Sequence, residues 1–166
     1  MSDFDVHYWQ ELDALIPGWM SQREAEFLIQ NVQGTTYLEI GVAYGKSLRL
    51  VQHHFLDMNI GGIDKINHGV HDKVEGVVVK YGDAKDLLSE FEDNVLDTLF
   101  IDGDHRYQGC LADFVHYYNK VKSGGRIIFH DYQRDKNHIG VTQAVDAIKP
   151  LLKDFKQINF ICAGTK

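Results

Sequence analysis

Hydrophobic and polar positions change rhythm at Gly34. Before it, apolar residues recur at helical spacing: Tyr8, Trp9, Leu12, Leu15 and Ile16 form one stripe, which Pro17-Gly18 breaks. A second helix is predicted from Ser21, where Ser21 and Glu24 make a capping box ahead of Ala25, Phe27, Leu28 and Ile29. After Gly34, short and wholly apolar runs alternate with helical patterns. The runs predict strands at Thr36–Ile40 and at 60–64, 74–81, 98–102, 126–130 and 157–163. Helices are predicted at 47–55, 85–91, 107–122 (closed by Gly124-Gly125) and 141–155 (capped near Gly140). Strands that are apolar throughout need helices on both faces of their sheet. The expected fold is therefore α/β: a Rossmann-like, doubly wound, mostly parallel sheet of about six strands. Residues 1–33 form an N-terminal helical cap on a single domain spanning 1–166.

Charge narrows the partners. The formal net charge is −7 and the pI about 5.6, with no Lys/Arg cluster. Phosphate neutralisation needs a basic face, so a nucleic-acid partner is not expected. Cys110 and Cys162 lie in apolar runs without metal spacing or a CxxC, as buried thiols of a reducing compartment do. The first residues are acidic where a signal peptide is basic, and no apolar run reaches membrane-spanning length. A cytoplasmic protein with no membrane partner is expected.

In open parallel sheets, ligands bind outside the carboxyl ends of the strands. Here each strand end carries chemistry. The first runs into Glu39-Ile40-Gly41-Val42-Ala43-Tyr44-Gly45-Lys46-Ser47. Gly41 and Gly45 let backbone pass close to a ligand, but the spacing is neither GxGxxG nor a Walker motif. Glu39 is an acid ending an apolar strand and needs a partner. Asp64 ends the second strand, placed to accept from ribose hydroxyls. Asp83, after the third, could accept from an exocyclic adenine amine or cap the next helix, and Ala84 leaves room for a ring. The fourth strand ends in Asp102-Gly103-Asp104-His105-Arg106-Tyr107 and the fifth in His130-Asp131-Tyr132. Parallel neighbours would bring Asp102 and Asp131 to one edge. Two carboxylates and an imidazole there could ligate a hard divalent cation or perform acid–base chemistry; a hydrogen-bonded core histidine is the structural reading of His130.

Taken in order, these strand ends resemble the class I S-adenosylmethionine-dependent methyltransferases, from about Gly34 to Val145. The stretches 38–47, 100–107 and 124–132 are similar to the subfamily of macrocin and other sugar or natural-product O-methyltransferases. The resemblance implies that Glu39, Gly41 and Gly45 surround the methionine part of the cofactor, Asp64 the ribose, and Asp83 and Ala84 the adenine. It places Asp102 beside the sulfonium and the substrate. In metal-dependent members, carboxylates at the ends of the fourth and fifth strands bind Mg²⁺, and Asp102 and Asp131 match those places. His130 stands where those enzymes carry a further acid.

The expected reaction is O-methylation of a small hydroxylated molecule, with His105 or His130 as base or a metal on Asp102 and Asp131 lowering the hydroxyl pKa. The rival is a cofactor-binding regulatory or assembly module without transferase activity; an NAD-dependent oxidoreductase is a weaker third reading. The fold usually ends in an antiparallel hairpin, and residues 156–166 suffice for half of it. A truncated hairpin would leave the apolar segment 157–163 as an open edge, to be covered either by further residues of the protein or by a partner subunit, most simply in a homodimer. The N-terminal helices and the 132–139 loop are the candidates for a lid.

Overall fold

A computed structural model describes residues 3–70 and 76–166. Its strands are β1 (Thr36–Ile40), β2 (Asn59–Asp64), β3 (Val77–Tyr81), β4 (Leu96–Ile101), β5 (Val121–Phe129), β6 (Lys153–Ile158) and β7 (Ile161–Thr165). They form one sheet in the order β3-β2-β1-β4-β5-β7-β6, parallel from β3 to β5 and antiparallel at β7 and β6. Residues 74 and 75 of the predicted third strand lie outside the described residues.

Successive side chains of a strand point to opposite faces, so the apolar runs fill two cores. Phe100 and Ile128 face one side, with Leu28, Leu48 and Val51. The adjacent Leu99 and Ile127 face the other, with Phe114, Tyr117 and Val145. Helices α1 (Val6–Leu15), α2 (Gln22–Asn31) and α3 (Lys46–His54) cover the first face. Helices α4 (Tyr107–Tyr118) and α5 (Ile139–Ile148) cover the second. The capping box at Ser21 and Glu24 forms as predicted, and Cys110 and Cys162 are buried free thiols. Among the described residues no helix is long and apolar enough to cross a membrane.

The predicted helix 107–122 ends at Tyr118, and Gly124-Gly125 lies inside β5. There Gly124 has φ 80° and the pairing with β4 slips between Leu96 and Thr98. The glycines make an irregularity in a strand, not a helix stop. The segment 85–91 is a 3-10 helix, Ala84–Glu90.

The C-terminus corrects the sequence reading most. The sheet has seven strands, and the hairpin is complete. Helix α5 stops at Ile148, because Pro150 has no N–H to continue it and starts a short 3-10 turn, Lys149–Leu151. The freed residues build β6. A tight turn at Asn159-Phe160, with Asn159 at φ 47°, pairs Ile158 with Ile161. The apolar segment 161–164 is buried between β5 and β6. The outer strand exposes the charged Lys153, Asp154 and Lys156 and the polar Gln157, which discourage edge pairing. No open apolar edge is left at 161–164 to call for a homodimer.

At the opposite end of the strands, Asp97 ties β1 to β4 and β5. Its Oδ2 accepts from Thr35 N (2.9 Å), Thr36 N (3.1 Å) and Thr36 Oγ1 (2.9 Å), and its Oδ1 from Lys122 Nζ (2.7 Å). Burial raises the carboxyl, but these donors outweigh it and bring it down to about 2. A depressed carboxylate contributes stability above its unfolded pKa and loses it as pH falls through the folded one. Asp97→Ala is expected to lower unfolding free energy by about 1.5–3 kcal/mol at neutral pH in urea melts. The gap from the wild type should close between about pH 4 and pH 2. A gap that does not change with pH would contradict this role.

Candidate functional site

Parallel register aligns the strand ends. Ile40 pairs with Ile63 and with Ile101, and Ile101 with Phe129. The next backbone bonds keep step: Gly41 N donates to Ile63 O (2.8 Å), Asp102 N to Ile40 O (2.8 Å) and His130 N to Ile101 O (3.2 Å). Gly41, Asp64, Asp102, His130 and Asp131 thus emerge along one edge. Gly41 has φ 93°, and a Cβ there would stand 2.2 Å from Asp102 O, so only glycine allows this approach. Gly45, with φ 78°, opens α3.

Glu39 lies beneath that loop, fully buried and absent from the cleft walls. Tyr37 Oη donates to its Oε2 (2.8 Å) and Ser47 Oγ to its Oε1 (2.5 Å). Burial pushes its carboxyl up to about 8 against those bonds. It joins β1 to the start of α3 and supports the loop from below.

Two cavities meet at Gly41, Asp102 and Gly103. The first, about 420 Å³, is walled by Trp19, Met20, His105, Arg134 and His138 among others. The linker between α1 and α2, not the N-terminal helices themselves, and the 132–139 loop contribute to it. The buried Lys46 anchors α1 next to that linker, with Nζ 2.6 Å from Asp13 Oδ1 and over the Trp9 ring. The second, about 380 Å³, is walled by Asp64, Ile66, Gly82, Ala84, Asp104 and Asp113 among others. Asp64 accepts from Ala43 N (2.7 Å) and Ile66 N (2.8 Å), joining the first two loops. Each of its oxygens keeps a second lone pair. Asp83 is not on the wall: it pairs with Lys65 (3.2 Å) and caps the 3-10 helix through Lys85 N (3.3 Å).

The first cavity ends in a charged cluster. His130 is 4% exposed, with Nδ1 3.4 Å from both Asp102 Oδ1 and Asp131 Oδ1. Its Nε2 faces Glu24 Oε2 at 3.9 Å and has no hydrogen bond. Burial lowers the imidazole, yet the Asp102, Glu24 and Asp131 carboxylates outweigh it and push it up to about 10. Burial likewise raises Asp131, but His105, His130 and Arg134 hold it well below the usual carboxylate range. His105, 42% exposed, bonds Asp131 Oδ2 through Nε2 (3.0 Å), which raises its pKa. Arg134 donates to Asp131 Oδ1 (2.6 Å), and His138 Nε2 lies 3.6 Å from Oδ2. Gly140 brings α5 against this loop: a Cβ there would lie 2.6 Å from His105 O.

This donor set does not fit Mg²⁺, which takes an oxygen cage with retained waters. Arg134 and His105 occupy both Asp131 oxygens, the nearby Asp102 Oδ1 faces the charged His130 ring at 3.4 Å, and the other groups within reach are imidazoles. The sequence pattern missed Glu24, Arg134, His138 and Asp113. Glu24 was accounted for by its cap, yet its Oε1 also accepts from Phe160 N in the hairpin turn (3.0 Å). Arg134 and His138 lie in the 132–139 loop, which the sequence marked only as a lid, and Asp113 lies inside a helix outside any motif.

A methyltransferase-domain family model matches residues 38–132. Over 129 residues the chain is 35% identical to uncharacterized protein R132 of Acanthamoeba polyphaga mimivirus, covering 68% of this chain and 58% of that one. The solved structure of MycE, a methyltransferase of the mycinamycin biosynthetic pathway in complex with Mg and SAH, is similar in fold. Its TM-score is 0.69 at 20% identity, over 95% of this chain and 54% of that one. An O-methyltransferase from Bacillus cereus in complex with SAH has a TM-score of 0.73 at 18% identity, over 98% and 92%. The chain thus spans little more than half the length of R132 and of MycE.

Removing one partner of a buried ion pair leaves an uncompensated charge. Glu24→Gln is expected to lower unfolding free energy by about 3–5 kcal/mol, measured by denaturant titration. A change within about 0.5 kcal/mol, typical of a surface site, would contradict the coupling of Glu24 to His130.

Proposed function

The chain belongs to the methyltransferase-domain family, and from that premise we propose that it transfers the methyl group of S-adenosylmethionine to a hydroxyl of a small acceptor, such as a sugar or natural product. The observation that carries this is His105: an accessible imidazole, oriented by Asp131, opening on a cavity that meets the other at Asp102. The glycine-lined approach at Gly41 and the free lone pairs of Asp64 fit the cofactor. In this reading the 41–45 loop takes its methionine end, with Glu39 holding that loop from below. Asp64 takes the ribose, and Gly82 and Ala84 flank the base. When bound, the cofactor supplies an electrophilic methyl carbon on a sulfonium.

His105 holds the acceptor's proton problem. Its Nε2 is engaged by Asp131, and the other ring nitrogen takes the hydroxyl proton as the oxygen–carbon bond forms and the carbon–sulfur bond breaks, leaving a neutral thioether. His130 is unsuited to this: it is buried and charged near neutrality. Asp102 borders both cavities and positions the acceptor beside the reacting carbon. No step passes through a metal. The completed hairpin removes one reason for the non-catalytic alternative, the other being the little sequence left for a substrate-binding insert.

Labelled S-adenosylmethionine offered with a panel of hydroxylated acceptors tests this reading. Wild-type turnover is expected to rise as pH passes above the ordinary histidine value, because His105 must be neutral and its pKa is raised. His105→Asn should cost about 100-fold or more and flatten that limb, and Asp102→Asn should remove most activity. Activity should survive chelator. Loss on chelation with recovery on Mg²⁺, or full activity in His105→Asn, would contradict the mechanism.

A further inference from the structure

Asp113 lies on α4, on the wall of the second cavity. A Cβ at Gly103 would stand 3.4 Å from its Oδ2, so the carboxylate is tucked under the loop that follows β4. Other acids around this cavity have partners. Asp64 accepts from two backbone amides. Asp104 is held by Arg106 through backbone N, Nε and the terminal guanidinium. Asp83 is turned to Lys65 and its helix cap. Asp102 lies against His130. Asp113 makes no hydrogen bond or ion pair among the described residues, although it is half-buried.

A partly desolvated carboxylate without a donor is costly unless a ligand completes it. Consistent with that, burial pushes the Asp113 carboxyl up to about 6. The cavity it faces contains Ala84 and Gly82 on one side and Asp64 at the ribose position, so a planar ring between them would turn an edge toward α4. Apolar contacts on the faces of such a ring do not distinguish one purine from another; a buried acceptor at its edge does.

Resting on the cofactor reading above, we infer that Asp113 is the residue that recognises the base, accepting the exocyclic amine of a 6-aminopurine from the floor of the second cavity. Asp83 then serves the 3-10 helix and Lys65. Asp113 is a binding residue that gives the cleft its preference for adenine over bases that lack the amine or carry an oxygen in its place.

Calorimetry on the wild type with three compounds tests this directly: S-adenosylhomocysteine, its analogue lacking the 6-amino group, and S-inosylhomocysteine. The wild type is expected to bind the first at least about ten-fold more tightly than either analogue, the loss of a hydrogen bond to a charged group. Asp113→Asn, checked for a native melt, should narrow that ratio chiefly by weakening the adenine compound. Equal binding of S-adenosylhomocysteine and the amine-free analogue by the wild type would overturn the inference whether or not the variant folds. So would an unchanged ratio in Asp113→Asn. Both results leave the cofactor reading standing. Binding of none of the three by the wild type would overturn the cofactor reading and this inference together.

Discussion

A buried imidazole between two carboxylates governs the cleft. His130 Nδ1 lies 3.4 Å from oxygens of both Asp102 and Asp131, and Glu24 faces its other nitrogen at 3.9 Å. Each such pair is worth roughly 4–5 kcal/mol at an effective dielectric of 20. Desolvating an ion costs several kcal/mol. One carboxylate would about balance that cost; three outweigh it, and the ring is held charged. The same arithmetic explains the acids. Asp102 and Asp131 stand at neighbouring strand ends, where parallel pairing forces them together, and without a cation between them they would repel.

Much of the surrounding structure follows. Glu24 brings the start of α2 onto the end of β5 and also accepts Phe160 N, so the N-terminal helices, the central sheet and the C-terminal hairpin share one polar contact. Asp131 takes a left-handed backbone, φ 61°, which turns its carboxylate back toward His105, Arg134 and His138. The loop after β4 and the segment before α5 are thereby held around one anion. That leaves His105 as the accessible member of the cluster, oriented yet open to the cavity.

The sequence showed the strand ends because parallel sheets repeat one statement: an apolar run, then a polar residue at the carboxyl edge. Asp64, Asp102 and Asp131 were legible for that reason, and the Ser21–Glu24 cap because its spacing is local. The second task of Glu24 was illegible, since one carboxylate serving both a cap and a distant histidine leaves no pattern. Glu39 read as a cleft residue from its position at a strand end, but its side chain points under the loop to Tyr37 and Ser47. The hairpin was hidden twice. An apolar helical rhythm runs on through Pro150 to Phe155, and β6 carries the polar residues of an edge strand. Asp113 lies within α4, two turns past any motif.

The charge on His130 is the central claim, and nitrogen-detected NMR of the imidazoles reads it most directly, with His130→Gln identifying the signals. With its pKa pushed up to about 10, both ring nitrogens of His130 should remain protonated at about pH 8. A neutral His130 ring at about pH 7, with one nitrogen unprotonated, would contradict the account.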